Sequence, residues 1–213
     1  MVARLADTLG MPLRERNTLL LAAGYAPEFP ETTLSAADLA RVRGAIDLIL
    51  EHQEPYPAFV FNRHMDILMT NEAAVRLNRF LCGGSAHANM LRAFFDPKDL
   101  RAYVVNWEEV AGNLIRHLHE DIAAAPSDTK GSALLNEILR YPGVPSRWRN
   151  ADNALAPLLT VVFRKDDCIL RFFSTFTRFG TPRDITLDEL RIECTFPADE
   201  ATAELCRRLA AGC

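Results

Sequence analysis

One stretch constrains the fold of this chain more than any other feature. It contains two consecutive short segments in which large apolar residues alternate with other residues, and a signal for the start of a helix follows directly. They lie in YPAFVFNRHMDILMTNEAAVRL, residues 56 to 77, where Phe59 and Phe61 alternate with smaller residues before NRH breaks the run. Alternation with a period of two is typical of half-buried strands, so the stretch predicts a β-hairpin. Asn71 follows the second segment and is a suitable N-cap for a helix.

The middle of the chain is predicted to be helical, and the last third to be strands. An apolar stripe at helical spacing continues from Tyr103 to Ile122 after a start at Asp96 and Pro97, and a second helix is predicted over 131–141. A hairpin, then helices, then an antiparallel meander predict an α+β domain, in which the helices lie over one face of a single sheet. The space between helices and sheet is the natural place for a pocket. The predicted late strands are PLLTVVFR at 157–164, CILRFFSTFT at 168–177 and LRIECTF at 190–196.

The first quarter of the chain predicts a separate helical segment. Gly10 and Gly24 can end two short helices, and the prolines of YAPEFPETT then indicate a linker. From Leu39 to Leu50 apolar residues repeat at helical spacing until Pro55 ends the run. We therefore expect three parts: a helical segment over 1–30, a linker with a connector helix over 31–55, and the α+β domain over 56–213.

Charge and cysteine content limit the possible partners. The net charge of -4 argues against a broad basic surface for gripping nucleic acid. The five cysteines include no CxxC pair and indicate reduced thiols. No apolar run reaches the roughly 18 residues of a membrane span, and the N-terminus is unlike a secretory signal. We expect a cytoplasmic protein that does not contact the membrane.

Motifs for catalysis or metal binding are few. His117 and His119 stand two apart on a predicted helix, roughly 200° around its axis, so they cannot share a metal from one face. The sequence contains no H-E-x-x-H, no G-x-S-x-G and no glycine-rich phosphate loop. A catalytic cysteine activated by a histidine is a remaining alternative, because the two residues can be far apart in the sequence, although Cys194 fits a core position. A further alternative is a haem-sensing domain in which His64 or His87 is the iron ligand, but no sequence motif supports it. We predict no enzyme, no metal and no cofactor.

Several segments together resemble a known family. YPAFVFNRHMDILMTNEAA, NMLRAFFDPKDLRAYVVNWEEVAGNLIRHLHEDIA and SALLNEILRYP are similar to the MmyB-like, XRE-type helix-turn-helix transcriptional regulators, whose C-terminal half is a PAS-like ligand-binding domain. LADTLGMPLRERNTLLLAAGYAP is similar to the end of the helix-turn-helix domain of the family. The likeness thins after residue 145, where SRWRNAD matches the RRLW-like segment of the family only loosely.

The resemblance implies a PAS-like antiparallel sheet and a sensor of an apolar small molecule such as a fatty acid. It also implies that residues 1–30 are the remnant of a largely truncated helix-turn-helix domain, so DNA would be bound only through the missing recognition helix. We expect a homodimer through the connector helix, with packing of the same apolar stripe on its own sheet as the alternative. The alternative function is a PAS-like dimerisation module without a ligand, and a cavity of several hundred Å³ would favour sensing over it.

Large apolar side chains are the natural wall of such a pocket, although for each of them an ordinary core position is the simpler interpretation. A ligand carboxylate would need a cation or several donors, because its unpaired burial is costly. The candidates are Arg171, Arg116, His117 and His119, and for each of them a solvated or salt-bridged surface role is the simpler interpretation. Arg171 and His119 rank first, and Arg171 shares a strand face with Phe173. The predicted apolar contacts are Phe59, Phe61, Met69, Phe94, Trp107, Val110, Leu114, Phe163 and Phe173.

Overall fold

A five-stranded antiparallel sheet is the centre of the fold. The computed structural model describes residues 1–149 and 158–212. The strands of this part are β1 (Ala58–Phe61), β2 (Ile67–Thr70), β3 (Thr160–Lys165), β4 (Cys168–Thr177) and β5 (Arg191–Pro197). Their order across the sheet is β2-β1-β5-β4-β3, so the late strand β5 lies between the early hairpin and the β3–β4 hairpin. The predicted α+β class is confirmed.

Helices precede the sheet, separate its two halves and follow it. The α-helices of the described residues are α1 (Val2–Thr8), α2 (Leu13–Ala22), α3 (Ala40–His52), α4 (Glu72–Cys82), α5 (Met90–Phe95), α6 (Trp107–Ala124), α7 (Thr129–Ile138), α8 (Ile185–Glu189) and α9 (Glu200–Ala211). None of them combines the length and the apolar character needed to cross a bilayer. The long helix predicted from Asp96 begins only at Trp107, because Leu100–Tyr103 forms a separate 3-10 turn.

The asparagine at the end of the hairpin joins β1 to α4. Asn71 Oδ1 accepts hydrogen bonds of 3.0 Å from the backbone N–H groups of both Ala74 and Ala58. Its Nδ2 donates to the carbonyl oxygen of Tyr56 at 2.8 Å. The side chain is buried, so these bonds form away from water. Asn71 is therefore the predicted N-cap of α4 and also fixes where β1 begins.

Both faces of the sheet are covered. On the inner face, Phe163 and Phe172 belong to the main core with residues of α4, α5 and α6. On the outer face, α3 packs through Ile46 and Leu50 against a second, smaller cluster. The apolar stripe of the connector helix is thus buried on its own sheet, which is one of the two alternatives that the sequence left open. The strand residues of the outer cluster are Ala58, Val60, Ile192 and Cys194.

The N-terminal helical pair is attached to the segment that leads into β5. Arg14 of α2 donates from Nε to Glu189 at 2.7 Å and from Nη2 at 3.0 Å, and the backbone N–H of Leu13 donates to Asp188 at 2.9 Å. Arg63, from the β1–β2 turn, donates to the same Glu189 at 2.9 Å. Hydrogen bonds to Glu189 and Glu31 raise the pKa of Arg14, so this guanidinium stays charged. One carboxylate therefore connects α2, the β1–β2 turn and α8.

We expect Arg14→Met to loosen the N-terminal pair selectively. Hydrogen bonds to charged groups contribute up to about 1.5–3 kcal/mol. This variant loses the part-buried bonds to Glu189 and the exposed bonds to Glu31, of which the exposed ones contribute less. Hydrogen exchange should therefore speed up across α1 and α2 and change little in the sheet. Arg207→Met is the matched control, because Arg207 also pairs with two glutamates but lies on the surface of α9. Equal exchange in wild type and Arg14→Met would show that the ion pair does not hold α2.

Candidate ligand-binding cavity

A cavity of about 660 Å³ lies between the inner face of the sheet and helices α4, α5 and α6. Apolar side chains form most of its wall, among them Leu77 of α4 and Met90 of α5. Leu158 and Phe176 line the same space and are 60% and 52% exposed, so the cavity meets solvent beside them. A volume of this size falls in the range of roughly 300–1,000 Å³ that is common for small-molecule sites.

Five of the residues proposed from the sequence lie on this wall: Phe59, Phe94, Val110, Leu114 and Phe163. Phe94 and Phe163 face each other with ring centroids 6.1 Å apart, which joins α5 to β3. Val110 and Leu114 are one helical turn apart on α6 and present the same side of that helix to the sheet. These side chains come from four different elements, so the wall exists only in the folded chain.

Three other proposed apolar residues lie elsewhere. Phe61 is completely buried in the main core and stacks on Phe59 with centroids 5.8 Å apart, but it does not line the cavity. Met69 packs with the outer cluster under α3. Phe173 also faces outward, because its neighbour Phe172 points inward, and it stacks on Phe196 at 5.5 Å.

The proposed Trp107 and His119 pack behind the wall instead of facing the cavity. Trp107 Nε1 donates to the carbonyl oxygen of Phe94 at 2.7 Å, and the guanidinium of Arg101 lies 3.7 Å from the centre of the indole ring. His119 Nε2 lies 3.1 Å from the carbonyl oxygen of Trp148. Both side chains are used to hold α6 against the neighbouring backbone.

Arg171, the other proposed carboxylate partner, is on the outer face of β4. Its Nη1 donates to Asp199 at 2.9 Å, and its side chain is 47% exposed. Sequence reasoning placed Arg171 and Phe173 on one strand face, and they are on one face, but it is the face turned away from the cavity. The inward residues of β4 are the alternate ones, such as Phe172 and Ser174.

Sequence reasoning missed the polar residues of β5. Arg191, Glu193 and Thr195 alternate with apolar residues, a pattern that usually places the polar side toward water. Here α3 covers the apolar side, so these three side chains line the cavity. No local signal identifies them, because the covering of both faces of β5 depends on helices that are distant in the sequence.

Two arginines at one end of the cavity keep part of their hydrogen-bonding capacity unused. Arg191 pairs with Asp121 through Nη2, and Arg116 Nη1 donates to Glu120 at 2.7 Å. Among the residues that the structure describes, the Nε–H groups of both arginines are buried without a hydrogen-bond partner. Buried donors are normally paired, so this end of the cavity suits a group that accepts hydrogen bonds.

Glu193 places a carboxyl group inside the cavity. Its neighbours across the strands are Phe59 on β1 and Phe176 on β4, and within the described residues no cation forms an ion pair with it. Burial raises the pKa of Glu193, and the nearby hydroxyl group of Ser174 opposes that shift only in part. An uncharged carboxyl group can donate a hydrogen bond as well as accept one.

The residues considered for haem or nucleophilic chemistry have other contacts. His64 Nε2 lies 2.7 Å from Asp128, His87 Nε2 lies 2.9 Å from Asp96, and neither histidine lines the cavity. Cys194 is buried under α3, and burial raises the pKa of its thiol, which disfavours the reactive thiolate. In residues 1–149 and 158–212, no group of three or more histidine, cysteine or acidic side chains is arranged to hold a metal ion.

Glu193 should give the stability of the chain a recognisable pH dependence. Because burial raises its pKa in the folded state, the folded chain keeps a proton that the unfolded chain releases near the usual value of about 4.3. Between the two pKa values the folded state binds more protons, so stability falls as pH rises, by at most about 1.4 kcal/mol per unit.

Glu193→Gln cannot ionise and should lack this contribution. Urea unfolding at a series of pH values from 4 to 8 measures the difference between the two proteins. Wild type should lose stability relative to the variant as pH rises. A difference that stays constant across the series would mean that Glu193 titrates normally in the folded chain.

The sequence of the chain matches the MmyB-like transcription regulator ligand binding domain over residues 42–209. The matched region takes in all five strands and every residue of the cavity wall. No curated protein matches the chain. The family resemblance inferred from the sequence is confirmed, and the chain belongs to the MmyB-like transcription regulators, with residues 42–209 as its ligand-binding domain.

Proposed function

We propose that this chain is a sensory domain that binds an apolar small molecule with an acidic head group, such as a fatty acid, in the cavity beneath the sheet. The single observation that carries the proposal is an apolar cavity of about 660 Å³ with charged side chains at one end. A module used only for dimerisation has no need of such a space, because protein interiors are normally close-packed. The family consists of regulators, which fits a role in sensing without catalysis.

The wall is suited to a flexible acyl chain. Methionine and phenylalanine side chains, such as Met65, Met90 and Phe94, adapt their shape to an apolar ligand at little cost. The chain of the ligand would lie against these residues, and burial of its methylene groups would supply most of the affinity. The exposed Leu158 and Phe176 mark where such a chain would enter.

The polar end favours an acid over a plain hydrocarbon. Arg116, Arg178 and Arg191 line it, with Glu120 and Asp121 as the acidic side chains. A ligand carboxylate there would take up the unused Nε–H donors of Arg116 and Arg191, and charge-assisted bonds of this kind are among the stronger ones in proteins. These two arginines replace Arg171 and His119 as our proposed partners for the head group.

Filling the cavity should abolish binding. Leu114 faces the cavity from the middle of α6, so Leu114→Trp would occupy space that an acyl chain needs. Dodecanoic acid at a hundredfold excess over its dissociation constant should stabilise wild type by about 2.7 kcal/mol, and this variant hardly at all. Thermal unfolding with and without the acid measures the effect, and native mass spectrometry shows whether an acyl chain copurifies with the protein.

Leu48→Trp is the matched control for this experiment. Leu48 lies on α3, is 55% exposed and is remote from the cavity wall, so this variant should respond to dodecanoic acid like wild type. Arg171→Met is a second control, for charge, since its guanidinium is on the outer face of β4. A response of Leu114→Trp equal to that of wild type, or no response of any of these proteins to acyl chains, would refute the proposed function.

A further inference from the structure

Glu193 is the feature of the cavity that a simple acid-binding site does not explain. A carboxyl group inside the pocket would repel an acidic ligand if it were ionised, yet it stands on the same strand face as Arg191, two residues away. Side chains at this spacing are roughly 7 Å apart, close enough to contact one head group together. The arrangement thus joins an unpartnered arginine donor and a carboxyl group at the same polar end.

We propose that Glu193 is a specificity-determining residue that donates a hydrogen bond from its uncharged carboxyl group to the head group of an acidic ligand, beside the Nε–H of Arg191. This inference rests on the proposed function and extends it to the choice of ligand. One oxygen of the ligand carboxylate accepts from Arg191, and the other accepts from Glu193. The cavity is then selective for acids and against amines, although it carries a carboxyl group of its own.

The surroundings of Glu193 disfavour its charged form. On β4 and β1 its cross-strand neighbours are the aromatic side chains of Phe176 and Phe59, and the hydroxyl group of Ser174, which lies 3.4 Å from Thr195 Oγ1, is also close by. Burial disfavours the charged form, which agrees with the raised pKa. The charged or titratable groups that line the same cavity are Arg116, His117, Glu120 and Asp121 on α6, Arg178 after β4 and Arg191 on β5.

The nearby cations are already engaged elsewhere. Arg191 pairs with Asp121 and Arg116 pairs with Glu120, so each arginine has an acidic partner on α6. Neither arginine forms an ion pair with Glu193. A bound carboxylate would add a negative charge beside Glu193 and would favour its protonated form still further.

Three ligands with the same chain and different head groups test the proposal: dodecanoic acid, dodecanol and dodecylamine. Isothermal titration calorimetry near pH 7 should show that wild type prefers the acid to the amine. Glu193→Gln keeps an N–H donor and no charge, so it should bind the acid within about threefold of wild type. Glu193→Met and Glu193→Ala have no donor and should lose at least about tenfold for the acid and less for the alcohol, because hydrogen bonds to charged groups are the stronger ones.

An ionised Glu193 would give changes of the opposite sign. Glu193→Gln would then bind the acid more tightly than wild type does and would lose affinity for the amine, and this single variant would overturn the proposal. Unchanged acid binding in both Glu193→Met and Glu193→Ala would overturn it as well. In either case binding of the acid and the alcohol to wild type would leave the proposed function intact. If none of the three ligands binds to wild type, both the proposed function and this inference are wrong.

Discussion

The packing of α3 against the outer face of β1 and β5 is the contact on which the rest of the structure depends. Ile46 and Leu50 cover the apolar residues of the two strands, among them Val60 and Ile192. With this face buried, the alternate side chains of β5 must point to the other side of the sheet, where the cavity lies. The polar lining of the cavity is thus a consequence of a helix that does not touch the cavity.

Most of the architecture could be predicted from the sequence, because it depends on local signals. The alternation around Phe59 and the N-cap at Asn71 predicted the β1–β2 hairpin and the start of α4, and both are present. The long helix was predicted to begin too early, since its apolar stripe continues back into the 3-10 turn at Leu100–Tyr103. Short helices such as α5 and α8 were not predicted, because five or six residues are too few to show a helical period.

The site was less predictable, because hydrophobic pattern does not say which face of a strand meets the cavity. Large apolar residues on the inner side, such as Phe94 and Leu114, were identified by size and spacing. Arg171 was correctly assigned to the same face of β4 as Phe173, but that face is turned away from the cavity. Glu193 and Arg191 resembled solvent-facing residues, and only the packing of α3 on the alternate side chains of β5 shows that they face the cavity. Packing between segments far apart in sequence is tertiary information.

The contact between Arg14 and Glu189 lies immediately before β5, where it can influence the register of that strand. Glu189 ends α8, and β5 begins two residues later. A slip of one residue in the register of β5 against β1 would turn Glu193 toward α3 and Ile192 into the cavity. The same slip would move the Glu189 carboxylate by about 3.3 Å along the strand, away from the two arginines that hold it. The ion pair therefore favours one register of β5. The alignment in which Glu189 contacts both arginines is also the alignment in which the polar side chains of β5 face the cavity.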